Sequence, residues 1–362
     1  MKQMERKKSE FSILMFLFFL LVLLFHCFFF SEIAHGESQL GGQAIEQEKA
    51  KNEVGFTVQP VLPDNQIDSS KGFYFIPVKA EEETKLTLKV KSTVKDARTV
   101  KISIEDAYTN QNGQIDYEGL NKKQDTTLKD PLSKITDVSS KEITVKNYET
   151  KEVTLTIKTP KEHFDGFKAA AVCIKKVDSE KEQKGIGTTY GYRVGLVITE
   201  QEDIDYNSGT SLNLLKVKPT VHQGKRVIQA SLQNPEPKIL DDLTVQTKLR
   251  KKGSKEVLRK RTTNDMRMAP NSQFDFATNW GVDPIKPGTY VLSVKATSKE
   301  KSWSWSKEFT IGEEQAKKIN EEASYTLTYP KWVPIVVILL GILTITIIGC
   351  LYLRRKKWTE QK

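Results

Sequence analysis

TKLTLKVKSTV, residues 84–94, is the stretch whose reading decides the fold. Leu86, Leu88, Val90 and Val94 fall on one face of an extended chain; Lys85, Thr87, Lys89 and Lys91 fall on the other. Successive side chains in a strand point to opposite faces, so this period of two predicts a half-buried β-strand. The alternation recurs downstream. Val100, Ile102 and Ile104 oppose Lys101, Ser103 and Glu105, and Val153, Leu155 and Ile157 oppose Glu152, Thr154, Thr156 and Lys158. Lys168–Val177 (KAAAVCIKKV) is apolar on both faces and predicts a central strand, and Tyr190–Thr199 adds another. Turn residues separate these runs: Pro63-Asp64-Asn65, Asn112-Gly113, Asp165-Gly166 and Gly185-Ile186-Gly187. No helical period competes over a useful length. Short strands punctuated by turns predict a β-sandwich over residues 54–200.

Residues 201–211 are acidic and polar and read as a linker. A second domain follows over residues 212–311, with strands expected near 212–218, 226–233, 243–250, 255–261, 273–279, 288–297 and 302–311. Tyr290, Leu292, Val294 and Ala296 alternate there with Val291, Ser293, Lys295 and Thr297. Short strands at this spacing are immunoglobulin-like in layout, although the cysteine pair and buried tryptophan of antibody domains are missing. The expected fold class is therefore all-β: two tandem immunoglobulin-like β-sandwiches and one C-terminal transmembrane helix. Residues 312–331, charged in EEQAKKINEEAS, read as a juxtamembrane stalk.

The two ends set the topology. Trp332–Leu353 (WVPIVVILLGILTITIIGCLYL) carries no charge over 22 residues. At about 1.5 Å per residue a helix of that length crosses a hydrocarbon core of roughly 30 Å. Arg354, Arg355, Lys356 and Lys357 follow at once and are expected to hold residues 354–362 in the cytoplasm. At the other end, Lys2, Arg6, Lys7 and Lys8 precede an apolar run from Phe11 to Phe30, with Ala34-His35-Gly36 after it. Residues 1–36 read as a secretory signal cleaved near Gly36, with an uncleaved signal anchor as the alternative; both export the middle of the chain. Residues 37–53 are polar and read as a flexible lead-in.

The net charge of +10 owes much to those flanking clusters. Between them the charges are interspersed, as on an ordinary soluble surface, and nothing suggests nucleic acid. Of the cysteines Cys27, Cys173 and Cys350, only Cys173 lies in the exported part, so no disulfide forms there and the core alone must supply stability. Cys173 sits in the central-strand pattern and reads as a buried small hydrophobe. His163 and His222 are the only exported histidines beyond the signal and lie in different domains, so no His/Cys metal cluster is expected, and no cofactor. The Asn110–Asp116 run resembles a calcium loop, but the spacing places Tyr108 and Gly119 at the end ligand positions, so a hairpin turn is expected. No nucleophile or metalloprotease motif appears, and the chain is read as non-enzymatic with no catalytic residues.

Candidate binding residues are few. Asn65 and Gln66 follow a proline-containing segment; their amides fit either backbone satisfaction in a loop or hydrogen bonds to a glycan or stem peptide. Asn110, Asn112 and Asn271 carry the same two readings. Trp303 and Trp305 share one parity of a strand with Phe309 and Ile311, and fit either sandwich core or an exposed aromatic anchor for a partner.

Seven short motifs occur in order: Val54–Gln66 (VGFTVQPVLPDNQ), Thr109–Tyr117 (TNQNGQIDY), His163–Phe167 (HFDGF), Gln233–Pro237 (QNPEP), Met268–Ser272 (MAPNS), Pro287–Tyr290 (PGTY) and Trp303–Trp305 (WSW). Ahead of a single membrane helix, this series resembles the WxL-interacting-protein family of Gram-positive bacteria. The resemblance implies that the first domain binds peptidoglycan and that the second binds host matrix proteins. It also implies that secreted WxL-domain proteins associate with the chain. The function expected is a membrane-anchored cell-surface tether, with a cell-wall-active enzyme or its accessory subunit as the alternative.

Overall fold

A computed structural model describes residues 54–118, 124–177, 190–201, 203, 205–324 and 332–359. The signal region, the lead-in and the Gly185–Gly187 turn lie outside the described residues. From Gly55 onward the chain packs as one unit.

The first domain is built from β1 (Phe56–Val61), β2 (Tyr74–Pro77), β3 (Glu83–Ser92), β4 (Arg98–Asp106), β5 (Tyr108–Thr109), β6 (Ile115–Asp116), α1 (Leu132–Ile135), β7 (Thr136–Val138), β8 (Glu142–Val145), β9 (Thr150–Lys158), β10 (Phe167–Lys176) and β11 (Gly191–Thr199). One sheet runs β1-β3-β9-β7 and the other β2-β11-β10-β4-β8. All pairings are antiparallel except β2 with β11. The alternation read from sequence sets the register. Leu86 faces Leu155 and Leu88 faces Val153 in the first sheet, and Ile104 faces Val172 and Ile102 faces Ile174 in the second. These eight side chains are buried and close the sandwich. The buried Tyr74 ties the sheets together, its hydroxyl donating to the Thr87 carbonyl at 2.6 Å.

β10 lies between β11 and β4, and both of its faces are covered. Its inner face meets the core. Cys173 on the outer face is 1% exposed, and burial, with Glu118 beside it, pushes the thiol up to about 12. A thiol held neutral in that way is a packing group rather than a nucleophile.

The second domain comprises β12 (Asn213–His222), β13 (Lys225–Asn234), β14 (Leu240–Lys251), β15 (Arg259–Met268), β16 (Ser272–Asn279), β17 (Gly288–Ser298) and β18 (Lys301–Ile311). Its sheets run β12-β13-β16 and β15-β14-β17-β18, all antiparallel. Leu214, Ile228, Leu232, Val245, Phe276 and Leu292 fill the space between them. Thr247 and Thr278, both buried, join hydroxyls at 2.7 Å across that space and so satisfy each other. The strand expected at 255–261 instead occupies Arg259–Met268. Its sequence, RKRTTNDMRM, is an exposed edge with apolar residues only at Met266 and Met268, so no alternation marks it.

Two helices follow. α2 (Glu313–Glu322) falls in the segment expected to be a spacer, yet it is built into the second domain. Ala316 and Ile319, three residues apart on one face, are buried. Asn320 accepts hydrogen bonds from Arg226 Nε and the Ile285 amide, both at 2.8 Å, and donates to the Ile285 carbonyl at 2.9 Å. Arg226 is 1% exposed. α3 (Val333–Thr359) contains Ile335–Leu353, the one described helix long and apolar enough to cross a membrane, with a mean hydropathy of 2.8. Thr344 and Thr346 return their hydroxyls to the carbonyls of Leu340 and Ile342, so neither leaves a polar group unpaired in an apolar helix. The backbone stays helical through Arg354, Arg355, Lys356 and Lys357.

Candidate functional site

The two sandwiches meet at a seam made by the short motifs that stood out in the sequence. The β5–β6 hairpin leaves the first domain and lies against β15 and β16. Asn110 folds its tip: its side-chain oxygen accepts from the amides of Asn112 at 2.9 Å and Gln114 at 3.1 Å. This is an Asx-type turn. The Gly113 carbonyl then accepts from the Arg267 amide at 2.7 Å, and the Gln114 side chain donates to the Asp265 carbonyl at 2.8 Å. Gly113 has φ +72°, and a Cβ there would stand 2.5 Å from Met266 Sδ, so only glycine fits. Thr109 receives the Ala269 amide at 2.9 Å and shares a buried hydroxyl contact with Ser272.

The other side of the seam is equally bonded. The Phe167 amide donates to the Pro237 carbonyl at 2.9 Å. Gln233 donates to both oxygens of the buried Asp125, at 2.9 and 3.0 Å. Asn271 donates to the Pro235 carbonyl at 2.8 Å and to Thr127 Oγ1 at 3.3 Å. The segment expected as a linker is tied down as well. Glu236 accepts from the Thr210 amide at 2.7 Å and from Ser211 Oγ, and Ile239 donates its amide to the Tyr206 carbonyl at 2.8 Å. Burial pushes the Glu236 carboxyl up, but the Ser211 and Thr210 bonds outweigh it and hold the group below the usual carboxylate range.

Beside the seam opens a cleft of about 380 Å³. The first domain supplies Phe73, Phe75, Tyr117 and Phe167; the second side supplies Tyr206 and Arg267. Tyr206 is 39% exposed and meets Phe75 and Phe167 edge-on, at centroid distances of 6.2 and 6.3 Å. Burial pushes the Tyr117 phenol up while Arg267 pulls against it, so that ring remains a neutral hydrogen-bonding group. The two cations in the lining are already paired. Arg267 Nε lies 2.7 Å from Asp241 at an angle unsuited to a hydrogen bond, Arg267 Nη2 donates to Asn207 at 2.9 Å, and Lys71 lies 3.5 Å from Asp68.

The residues singled out from sequence scatter around this cleft. Gln66 closes the loop that delivers Phe73 and Phe75: it donates to the Phe73 carbonyl at 2.7 Å and accepts from the Phe75 amide at 3.2 Å. Asn65 beside it is exposed. Asn110 and Asn271 are engaged within the seam. Asn112 lines a separate polar hollow of about 330 Å³ with His222, Lys225, Lys260 and Arg261. Trp303 and Trp305 are half-buried against the second core on β18, an edge strand, with Ser304 and Ser306 exposed opposite. Among the described residues no group of three or more His, Cys, Asp or Glu side chains could hold a metal ion. Sequence reasoning missed the cleft aromatics. Their signal was present in Gly72–Pro77 (GFYFIP), where both parities of a strand are apolar, one for the core and one for a second surface.

The described chain is two joined β-sandwiches with a cleft beside their seam, followed by one helix long and apolar enough to cross a membrane. The chain belongs to the WxL Interacting Protein family: its peptidoglycan binding domain model matches residues 56–176 and its host binding domain model matches residues 181–321. The boundary between those models falls between β10 and β11, which pair in a single sheet, so the sequence families divide the chain inside the first sandwich. No curated protein matches the chain. Among solved structures it is similar to the class 5 fimbriae chaperone CfaA, at 11% identity over 70% of this chain and 98% of that one with a TM-score of 0.27. It is similar also to the CupB2 chaperone of Pseudomonas aeruginosa, at 14% identity over 66% and 96% with a TM-score of 0.26. A family 123 glycoside hydrolase from Clostridium perfringens matches at 11% identity over 40% of this chain and 28% of that one, with a TM-score of 0.25. Likenesses at those TM-scores carry no argument about function.

Proposed function

We propose that this chain is a non-enzymatic tether, fixed in the membrane by α3 with its C-terminus in the cytoplasm. Its two-sandwich head engages peptidoglycan and gathers WxL-domain proteins or host matrix proteins. The observation that supports this reading is the pair of binding-domain matches spanning residues 56–321, placed directly ahead of an apolar helix. Attachment at the membrane and contact with the wall raise the effective concentration of a captured partner at the surface without new contacts to that partner. Arg354, Arg355, Lys356 and Lys357 would set the orientation. Asn65, Asn112, Trp303 and Trp305 offer accessible contacts to partners, whereas Gln66, Asn110 and Asn271 act by holding the loops and the seam.

Deleting residues 332–362 tests the anchor. The truncated protein should leave the membrane fraction of protoplasts and appear in the medium, while the full chain stays with membranes. Truncated protein that remains on washed protoplast membranes would show that α3 is not what holds it.

A further inference from the structure

The matching family model is named for peptidoglycan binding; where on this chain that would happen is a separate question. We infer that the aromatic cleft between the two sandwiches binds the glycan backbone of peptidoglycan, its N-acetylated sugar rings lying against the accessible rings Phe73, Tyr117 and Tyr206. This inference rests on the wall-binding function proposed above and assigns it a site.

Three observations carry it. The cleft holds about 380 Å³, within the roughly 300–1,000 Å³ typical of small-ligand sites, and it lies at a domain junction, where such sites concentrate. Its accessible rings are Phe73, Tyr117 and Tyr206, and the buried Phe75 and Phe167 pack edge-on behind Tyr206. The C–H face of a pyranose is apolar and its rim is hydroxyl and amide, which suits aromatic side chains that present an apolar body with a polar tip. Finally, the charges at its rim are spent within the protein. Arg267 is matched by Asp241 and Asn207, and Lys71 by Asp68, so no unpaired cation among these lining residues awaits an anion. A polyanionic wall polymer gains less from cations that carboxylates already match. The glycan backbone is neutral where its lactyl groups are capped as amides, and it asks for rings and hydrogen bonds instead.

The composition of the cleft has a consequence for the domains. Phe73, Phe75 and Phe167 fall within the peptidoglycan binding match, but Tyr206 and Arg267 fall within the host binding match. Wall binding should therefore depend on a residue of the second match.

The experiment is co-sedimentation of the detergent-solubilised full chain with purified sacculi. The wild type is compared with Tyr206→Ala, Tyr206→Phe and Val257→Ala, an exposed position outside the cleft lining. The expected result is saturable pelleting of the wild type and a roughly tenfold weaker apparent Kd for Tyr206→Ala, from the loss of one ring's burial and stacking. Tyr206→Phe and Val257→Ala should stay within about twofold of wild type, on the same scale. Competition with a soluble N-acetylglucosamine tetrasaccharide guards against misfolding of Tyr206→Ala: it should displace the wild-type chain from sacculi. If wild type pellets, Tyr206→Ala binds equally well and the tetrasaccharide does not compete, the cleft is not the site although wall binding stands. Competition by a stem peptide and not by the tetrasaccharide would also overturn the glycan assignment. If wild type fails to pellet, the wall-binding function itself falls, and the site with it.

Discussion

Gly166→Ala should destabilise the two-sandwich head by about 3–5 kcal/mol and split its single melting transition into two. Gly166 sits at φ +112°, a conformation that L side chains rarely adopt, and strain of that kind costs roughly 1–3 kcal/mol. A second effect adds to it. A Cβ on Gly166 would stand 2.2 Å from the Pro237 carbonyl oxygen, and the neighbour is backbone, so it cannot swing aside as a side-chain tip would. Relief requires the seam to open, which breaks the hydrogen bond from Phe167 to Pro237. Differential scanning calorimetry of the full chain in detergent reads both effects. One transition at the wild-type temperature would show that a Cβ at Gly166 neither strains the backbone nor opens the seam.

The second large effect is expected at Asn320→Leu, on α2. Leucine keeps the volume but removes three hydrogen bonds, two of them to the Ile285 backbone and one from Arg226. Arg226 is 1% exposed, so its Nε cannot turn to water in compensation. Unsatisfied buried groups cost roughly 1–3 kcal/mol each, which puts the loss at about 3–5 kcal/mol when partial relaxation is allowed. α2 should then detach, exposing Ala316 and Ile319, and the chain should become cleavable by protease between residues 312 and 324. Protease resistance equal to wild type in Asn320→Leu would mean that the helix is held by its apolar face alone.

Most of the fold was legible because burial leaves a period. Leu86, Leu88 and Val90 announce β3, and Val153, Leu155 and Ile157 announce β9, for the reason that one face of each is dry. β10 announced its central place by having no polar face at all. Where a strand is an exposed edge, the period vanishes, and β15 was displaced in the sequence reading for that reason. α2 was read as a spacer because its inward stripe is only Ala316 and Ile319 within a charged decapeptide; what docks it is one amide, and a lone asparagine has no periodic signature.

The site was less legible than the fold. Asn110, Asn271 and the glycines of the short motifs drew attention because their residue types are unusual, and the structure uses them to join two domains. A turn residue signals a backbone need, and that need arises from a seam as readily as from a ligand. The cleft itself is assembled from residues far apart in sequence, Phe73 and Phe75 against Phe167, Tyr206 and Arg267. Each taken alone reads as an ordinary core aromatic or a surface cation. Only the β5–β6 hairpin and the tied-down segment around Tyr206 bring them to one place, and neither contact is written in a local pattern.

Direct attachment to the wall is the central claim, and binding of the full chain to purified sacculi across a salt series tests it most directly. Because the cations lining the cleft are paired internally, the account predicts saturable binding that persists as ionic strength rises and the Debye length falls from about 10 Å to about 3 Å. Binding that disappears over that range would identify an adventitious attraction of a basic protein to an anionic polymer, and would contradict a built site for peptidoglycan.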